Sequence, residues 1–196
     1  MELSSEDRAA LGVALNEAAL LGVEVDRGTR RAAATLAVLS LPMEGPEPED
    51  RRVQLVLESV GRYAASLRLG RWDDGNAAVL PFLLEELLPT VQSFGGLPIY
   101  GWEFFDVAER TFPALAHRLS LDVQLGLDGA AHSLFLFQEG PDRHLDLWLW
   151  FDRFTIRDPV GRVISLADFT AGGRRWWDAF NKHDPRIQGH GMFPLS

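Results

Sequence analysis

Apolar residues recur at helical spacing near the start of the chain. Leu11 and Leu15 share one face of a helix, and the pair Ser4-Ser5 before them offers an N-cap. The pattern predicts an amphipathic helix over about residues 4–21. Since an apolar stripe of this kind is stable only when it is packed, the helix should cover another element.

Three extended segments follow and predict a first antiparallel meander over about 30–69. Residues 30–41 are separated from 53–57 by a loop rich in proline, glycine and glutamate. Beyond Gly61, apolar and polar positions alternate through 62–69 with a period of two. This alternation indicates a strand with one buried face and one face in water.

A second antiparallel meander is predicted over about 118–165, where extended segments are separated by turn sequences. After Asp152-Arg153 the apolar positions change from odd to even numbers, which predicts a bulge or bend there. The segments cover residues 119–125, 134–137, 144–151, 154–156 and 163–164.

Two more helices complete the pattern. One is predicted over about 77–94, and a shorter helix bounded by Pro81 and Pro89 fits as well, since an internal proline kinks or ends a helix. A C-terminal helix capped by Ser165 is predicted to break or bend at Gly172-Gly173. The chain is therefore predicted to be α+β, with antiparallel meanders packed by an N-terminal, a middle and a C-terminal helix.

The length of 196 residues fits a single α+β domain covering 1–196. Because a meander is followed by a helix twice, two meander-plus-helix halves, 1–94 and 95–196, are an alternative description of that domain. Apolar residues make up 46% of the chain, which is enough for a sizeable core and excludes a disordered protein.

Charge and cysteine content narrow the class of protein. A net charge of −9 argues against nucleic-acid binding, and the lack of cysteine excludes disulfides, zinc–thiolate sites and thiol catalysis. No apolar run reaches the ~20 residues of a membrane span, and the N-terminus is acidic where a secretory signal is basic. We therefore expect a cytoplasmic protein that binds neither nucleic acid nor membrane.

The strand predicted at 144–151 carries the strongest candidate site. Its odd positions are leucine and phenylalanine, whereas its even positions are His144, Asp146, Trp148 and Trp150. An imidazole and a carboxylate two residues apart on one face lie within reach of each other, so Asp146 would orient His144 for acid–base chemistry. The alternatives are that this face binds a ligand or partner, or that a helix covers it.

Other candidate chemistry is weaker. Trp102 lies in an aromatic run over 98–106 that either lines a pocket or fills the core. The standard nucleotide-binding and hydrolase motifs are absent, and no cofactor is expected. His183, Asp184 and His190 lack the spacing of a metal-ligand motif, so no metal site is predicted.

These observations favour a non-catalytic protein that works by binding, because tryptophan and arginine dominate the energetics of interfaces. The partner would be another protein or a second copy of the chain in a homodimer. The alternative is an enzyme, or a carrier of a small apolar ligand, with an aromatic-lined pocket around His144 and Asp146. The residues predicted to bind are His144, Asp146, Trp148, Trp150 and Trp102.

Overall fold

The computed structural model describes residues 3–126 and 128–187. Within these ranges, helices and antiparallel strands confirm the predicted α+β class. In chain order the elements are α1 (Ser5–Leu15), β1 (Ala19–Asp26), β2 (Arg31–Ala37), β3 (Arg52–Glu58), β4 (Arg62–Leu69), a 3-10 helix (Leu84–Glu86), α2 (Leu87–Gln92), α3 (Ala108–Leu115), β5 (Leu121–Gln124), β6 (His132–Glu139), β7 (Arg143–Phe151), β8 (Arg153–Arg157), β9 (Val163–Ile164), α4 (Leu166–Asn181) and a second 3-10 helix (Pro185–Ile187).

The strands form two antiparallel sheets that each combine early and late parts of the chain. The first sheet has the order β1-β2-β3-β8-β9, and the second has the order β5-β4-β7-β6. β3 pairs with β8, and β4 pairs with β7. The consecutive strands β3 and β4 therefore lie in different sheets, although the economical meander predicted for 30–69 would have placed them side by side.

The chain crosses between the sheets at two adjacent places. Residues 59–61 lead from β3 to β4, and Asp152 leads from β7 to β8. The amide of Gly61 donates to the carbonyl of Trp150 over 3.0 Å, and the amide of Asp152 donates to the carbonyl of Glu58 over 3.2 Å. The bend predicted after Asp152 is this change of sheet, and it lets odd residues of β7 and even residues of β8 enter the same core.

One buried apolar cluster combines residues from both sheets with residues from α1 and α4. α4 is capped by the side chain of Ser165, as predicted, but it is continuous through Gly172-Gly173, so the predicted break is wrong. A Cβ atom at Gly173 would lie 2.6 Å from the Cα atom of Ala14 in α1. Glycine stands there because the two helix backbones approach closely.

The N-terminal helix is shorter than predicted. The amide of Asp7 donates to Ser4 Oγ over 3.0 Å, which confirms the cap. α1 ends at Leu15, and Glu17 has a φ of 60°, so the apolar residues that follow belong to β1. Pairing of β1 with β2 overrides the helical spacing of these residues.

The middle helices also differ from the prediction. Residues 77–83 are not helical, Val79 among them bridges to Arg68, and helical turns begin only at the 3-10 helix before α2. Pro89 fits within the first turn of α2 because the first four amides of a helix have no intrahelical acceptor. α3, which the sequence pattern did not predict, packs on the second sheet and shapes the candidate site.

Candidate functional site

The outer face of the second sheet gathers ionisable and aromatic side chains. β7 runs between β4 and β6, so each even residue of β7 has a neighbour on both sides. The four rows across this face are Arg68–His144–Glu139, Ser66–Asp146–Phe137, Ala64–Trp148–Phe135 and Arg62–Trp150–Ser133.

Helix α3 covers the tryptophan end of this face. The ring of Phe112 stands edge-on to Trp148 and Trp150, with centroids 5.3 and 5.0 Å apart. Trp148 is fully buried, and its Nε1 donates to Thr111 Oγ1 over 3.1 Å. At the tryptophan end of the face, a helix therefore covers the strand, which was one of the alternatives.

The other end of the face is open and forms a groove of about 660 Å³, here called the aromatic groove. Trp72 and Tyr100 stand at its mouth, 56% and 44% exposed. The ring of Tyr100 is tilted by 55° against Phe137, with centroids 6.3 Å apart. The aromatic groove is lined by the aromatic residues Trp72, Tyr100, Phe135, Phe137 and Trp148, the charged residues Arg68, Asp146 and Glu139, and Gly101, Thr111, Ala114 and Leu115.

A buried ion pair lies in the lining of the aromatic groove. Arg68 Nη2 donates to Asp146 Oδ2 over 2.5 Å, and the two side chains are only 6% and 7% exposed. Burial raises the pKa of Asp146, and the charge and hydrogen bond of Arg68 oppose that rise. The Nε atom of Arg68 is buried and has no hydrogen-bond partner among the described residues. Such a pair is costly to desolvate, and the attraction between the two charges repays this cost only in good geometry.

His144 does not enter the aromatic groove. Its Nδ1 lies 2.9 Å from the carbonyl oxygen of Gly70, and because a carbonyl only accepts, Nδ1 carries the proton. Nε2 is then a buried acceptor without a partner among the described residues. Burial lowers the pKa of His144, which keeps the ring neutral. Asp146 is bonded to Arg68 and not to His144, so the expected orientation of the imidazole by this carboxylate is not observed.

The two remaining predicted residues lie outside the aromatic groove. Trp150 lines a separate cleft of about 400 Å³, where the guanidinium of Arg62 sits 5.1 Å from the indole centroid. Trp102 is 66% exposed and lines a third cleft of about 580 Å³ beside α1. Of the five predicted residues, only Asp146 and Trp148 meet in the aromatic groove.

Sequence reasoning missed most of the lining. Arg68 falls on the side of β4 that the alternation assigned to water, but this side is buried at Ala64, Ser66 and Arg68. The small residues Ala64 and Ser66 were the available signal, because they leave room for a covering element. Trp72 and Tyr100 lie in loops, where no periodicity marks the direction of a side chain.

Metal-ligand clusters and membrane-spanning helices are both absent from residues 3–126 and 128–187. No group of three histidine, cysteine or acidic residues in this part of the chain could hold a metal ion. His190 lies outside the described residues. Of the helices described, none has the length and apolar character needed to cross a membrane.

No family model, curated protein or solved structure matches this chain.

Proposed function

We propose that this chain is a non-catalytic binding protein whose aromatic groove accepts a small, flat organic ligand. The observation that carries the proposal is the buried Arg68–Asp146 pair in the lining of a groove with aromatic walls. Small-molecule sites have this composition, with mostly apolar walls and a few fixed polar groups that orient the ligand. The volume of about 660 Å³ also falls in the range of such sites, roughly 300–1,000 Å³.

The positions of His144 and Asp146 favour binding over catalysis. A general base must reach the proton that it removes, but the imidazole of His144 is buried outside the aromatic groove. The carboxylate of Asp146 is held by Arg68, so it is suited to a fixed electrostatic role.

A thermal-shift screen with aromatic metabolites tests the proposal, because a ligand that binds only the native state raises the melting temperature. We expect ligands that stabilise the wild type to lose most of their effect on Trp72→Ala, which removes one wall of the aromatic groove. Trp102→Ala is the matched control, since Trp102 is also an exposed indole but lines another cleft. Absence of any stabilising compound, or equal shifts in both variants, contradicts the proposal.

A protein partner is the second candidate function. Trp72, Tyr100 and Trp102 expose large aromatic surfaces, and aromatic residues of this kind anchor protein interfaces. The partner would be another protein or a second copy of the chain. Sedimentation of the wild type over a range of concentrations tests the homodimer, whose dissociation constant should rise at least tenfold in Trp72→Ala. A monomer at all concentrations rules out the homodimer.

A further inference from the structure

The charged side chains that line the aromatic groove do not balance. Its lining contains three charged side chains, and two of them, Arg68 and Asp146, neutralise each other at 2.5 Å. Glu139 is half-buried at the end of β6 and forms no ion pair with any other described residue. Arg118 also acts on Asp146 and keeps its charge when it donates to the carbonyl of Ala77, but it does not line the aromatic groove. The remaining charge in the lining is therefore negative.

Negative charges also act on Tyr100, at the mouth of the aromatic groove. Burial, followed by the negative charges of Glu17 and Glu139, raises the pKa of the Tyr100 hydroxyl. Both carboxylates thus act on the ring that forms one wall. Because the groove is partly shielded from water, these charges are screened less than on an open surface.

The aromatic walls complement a positive charge as well. Tyr100 and Phe137 are tilted by 55° with centroids 6.3 Å apart, and Trp72 lines the same groove. The faces of aromatic rings carry partial negative charge, and a cation within ≈ 6 Å of a ring centroid is attracted to them. Several aromatic rings around one positive charge are a recurring way of binding an organic ammonium group.

We infer that the ligand of the aromatic groove is an organic cation, with its ammonium group beside Glu139 and its apolar body between Trp72, Tyr100 and Phe137. This inference rests on the proposed function, since it names the class of molecule that the groove takes. Arg68 does not oppose it, because its charge is neutralised by Asp146.

Three probes of similar shape test the inference. They are 4-fluorobenzyltrimethylammonium, its neutral analogue with carbon in place of nitrogen, and the anion 4-fluorophenylacetate, each titrated with the protein and followed by fluorine NMR. We expect the cation to bind at least tenfold more tightly than the neutral analogue, which is about 1.4 kcal/mol. Glu139→Gln should remove most of that difference and leave binding of the neutral analogue unchanged. Glu103→Gln is the control, because Glu103 is exposed and lines another cleft.

The outcomes separate the two proposals. If the protein prefers the cation, and this preference depends on Glu139 and Trp72, the result supports both the proposed function and the inference. Equal or tighter binding of the neutral or anionic probe, lost in Trp72→Ala, overturns the inference and leaves the groove as a binding site. Binding of none of the probes, or binding that survives Trp72→Ala and Phe137→Ala, overturns both.

Discussion

The ion pair beside the aromatic groove gives the sharpest prediction about stability. In Arg68→Ala, the carboxylate of Asp146 would remain buried without its partner, since both side chains are more than nine-tenths buried. Removing one partner of a buried ion pair lowers the free energy of unfolding by about 3–5 kcal/mol. The exposed pair of Arg71 with Asp73 is the matched control, with side chains 79% and 49% exposed. Arg71→Ala should cost less than about 1 kcal/mol.

The loss of unfolding free energy in Arg68→Ala should become smaller at acid pH. Burial already raises the pKa of Asp146 above 3.8, and loss of the Arg68 charge would raise it further. A carboxyl group with a raised pKa is neutralised more easily in the folded than in the unfolded chain, so the penalty decreases as the pH falls through the folded-state pKa. Replacing both residues with apolar ones, Arg68→Met with Asp146→Leu, should recover most of the lost stability.

Urea denaturation from pH 8 down to the ordinary carboxyl pKa of 3.8, with unfolding free energies extrapolated to water, measures these differences. The reasoning is refuted if Arg68→Ala costs no more than Arg71→Ala. It is also refuted if the cost of Arg68→Ala does not decrease as the pH falls to the ordinary carboxyl pKa of 3.8, because a buried unpaired carboxylate requires that dependence.

Two further predictions concern His144 and the contact of α1 with α4. Burial lowers the pKa of His144 below 6.5, so its contribution to stability is present above pH 6.5 and is lost as the pH falls through the folded-state pKa. His144→Asn should reduce this loss of unfolding free energy at acid pH by up to about 1.4 kcal/mol per pH unit. Replacing the exposed His117 with Asn is the control and should leave the loss unchanged. Equal pH profiles of the two variants contradict the prediction. Gly173→Ala should cost about 1–3 kcal/mol in thermal or urea unfolding, because the added Cβ would lie 2.6 Å from the Cα atom of Ala14. Gly75→Ala, where no atom lies within 4 Å of the added Cβ, is the control, and equal costs in the two variants refute the packing argument.

Local signals in the sequence were sufficient for individual elements. The cap at Ser165 and the alternation through 144–151 identify α4 and β7, and the change of apolar phase after Asp152 marks the bend between two strands. Each of these features depends on neighbouring residues alone. The assignment of strands to sheets does not, because the partner of β3 is β8 and not its neighbour in the chain.

The candidate site was only partly predictable for the same reason. The direction of Asp146 and Trp148 follows from strand periodicity, but the open part of the face depends on where α3 ends. Arg68 is paired with a residue that lies far away in the chain, and Trp72 and Tyr100 reach the groove from loops. No local pattern encodes these contacts, so the sequence identified the strand but not the groove.

The pairing of β3 with β8 and of β4 with β7 has a consequence for folding in the cell. During synthesis, β3 and β4 leave the ribosome long before their partners do, and their backbone edges stay open to other chains during that time. Contacts between distant parts of the sequence also slow folding, typically to milliseconds or seconds. A nascent chain that stops before residue 143 lacks β7 and β8, so we expect it to aggregate or to depend on chaperones until both strands have been added.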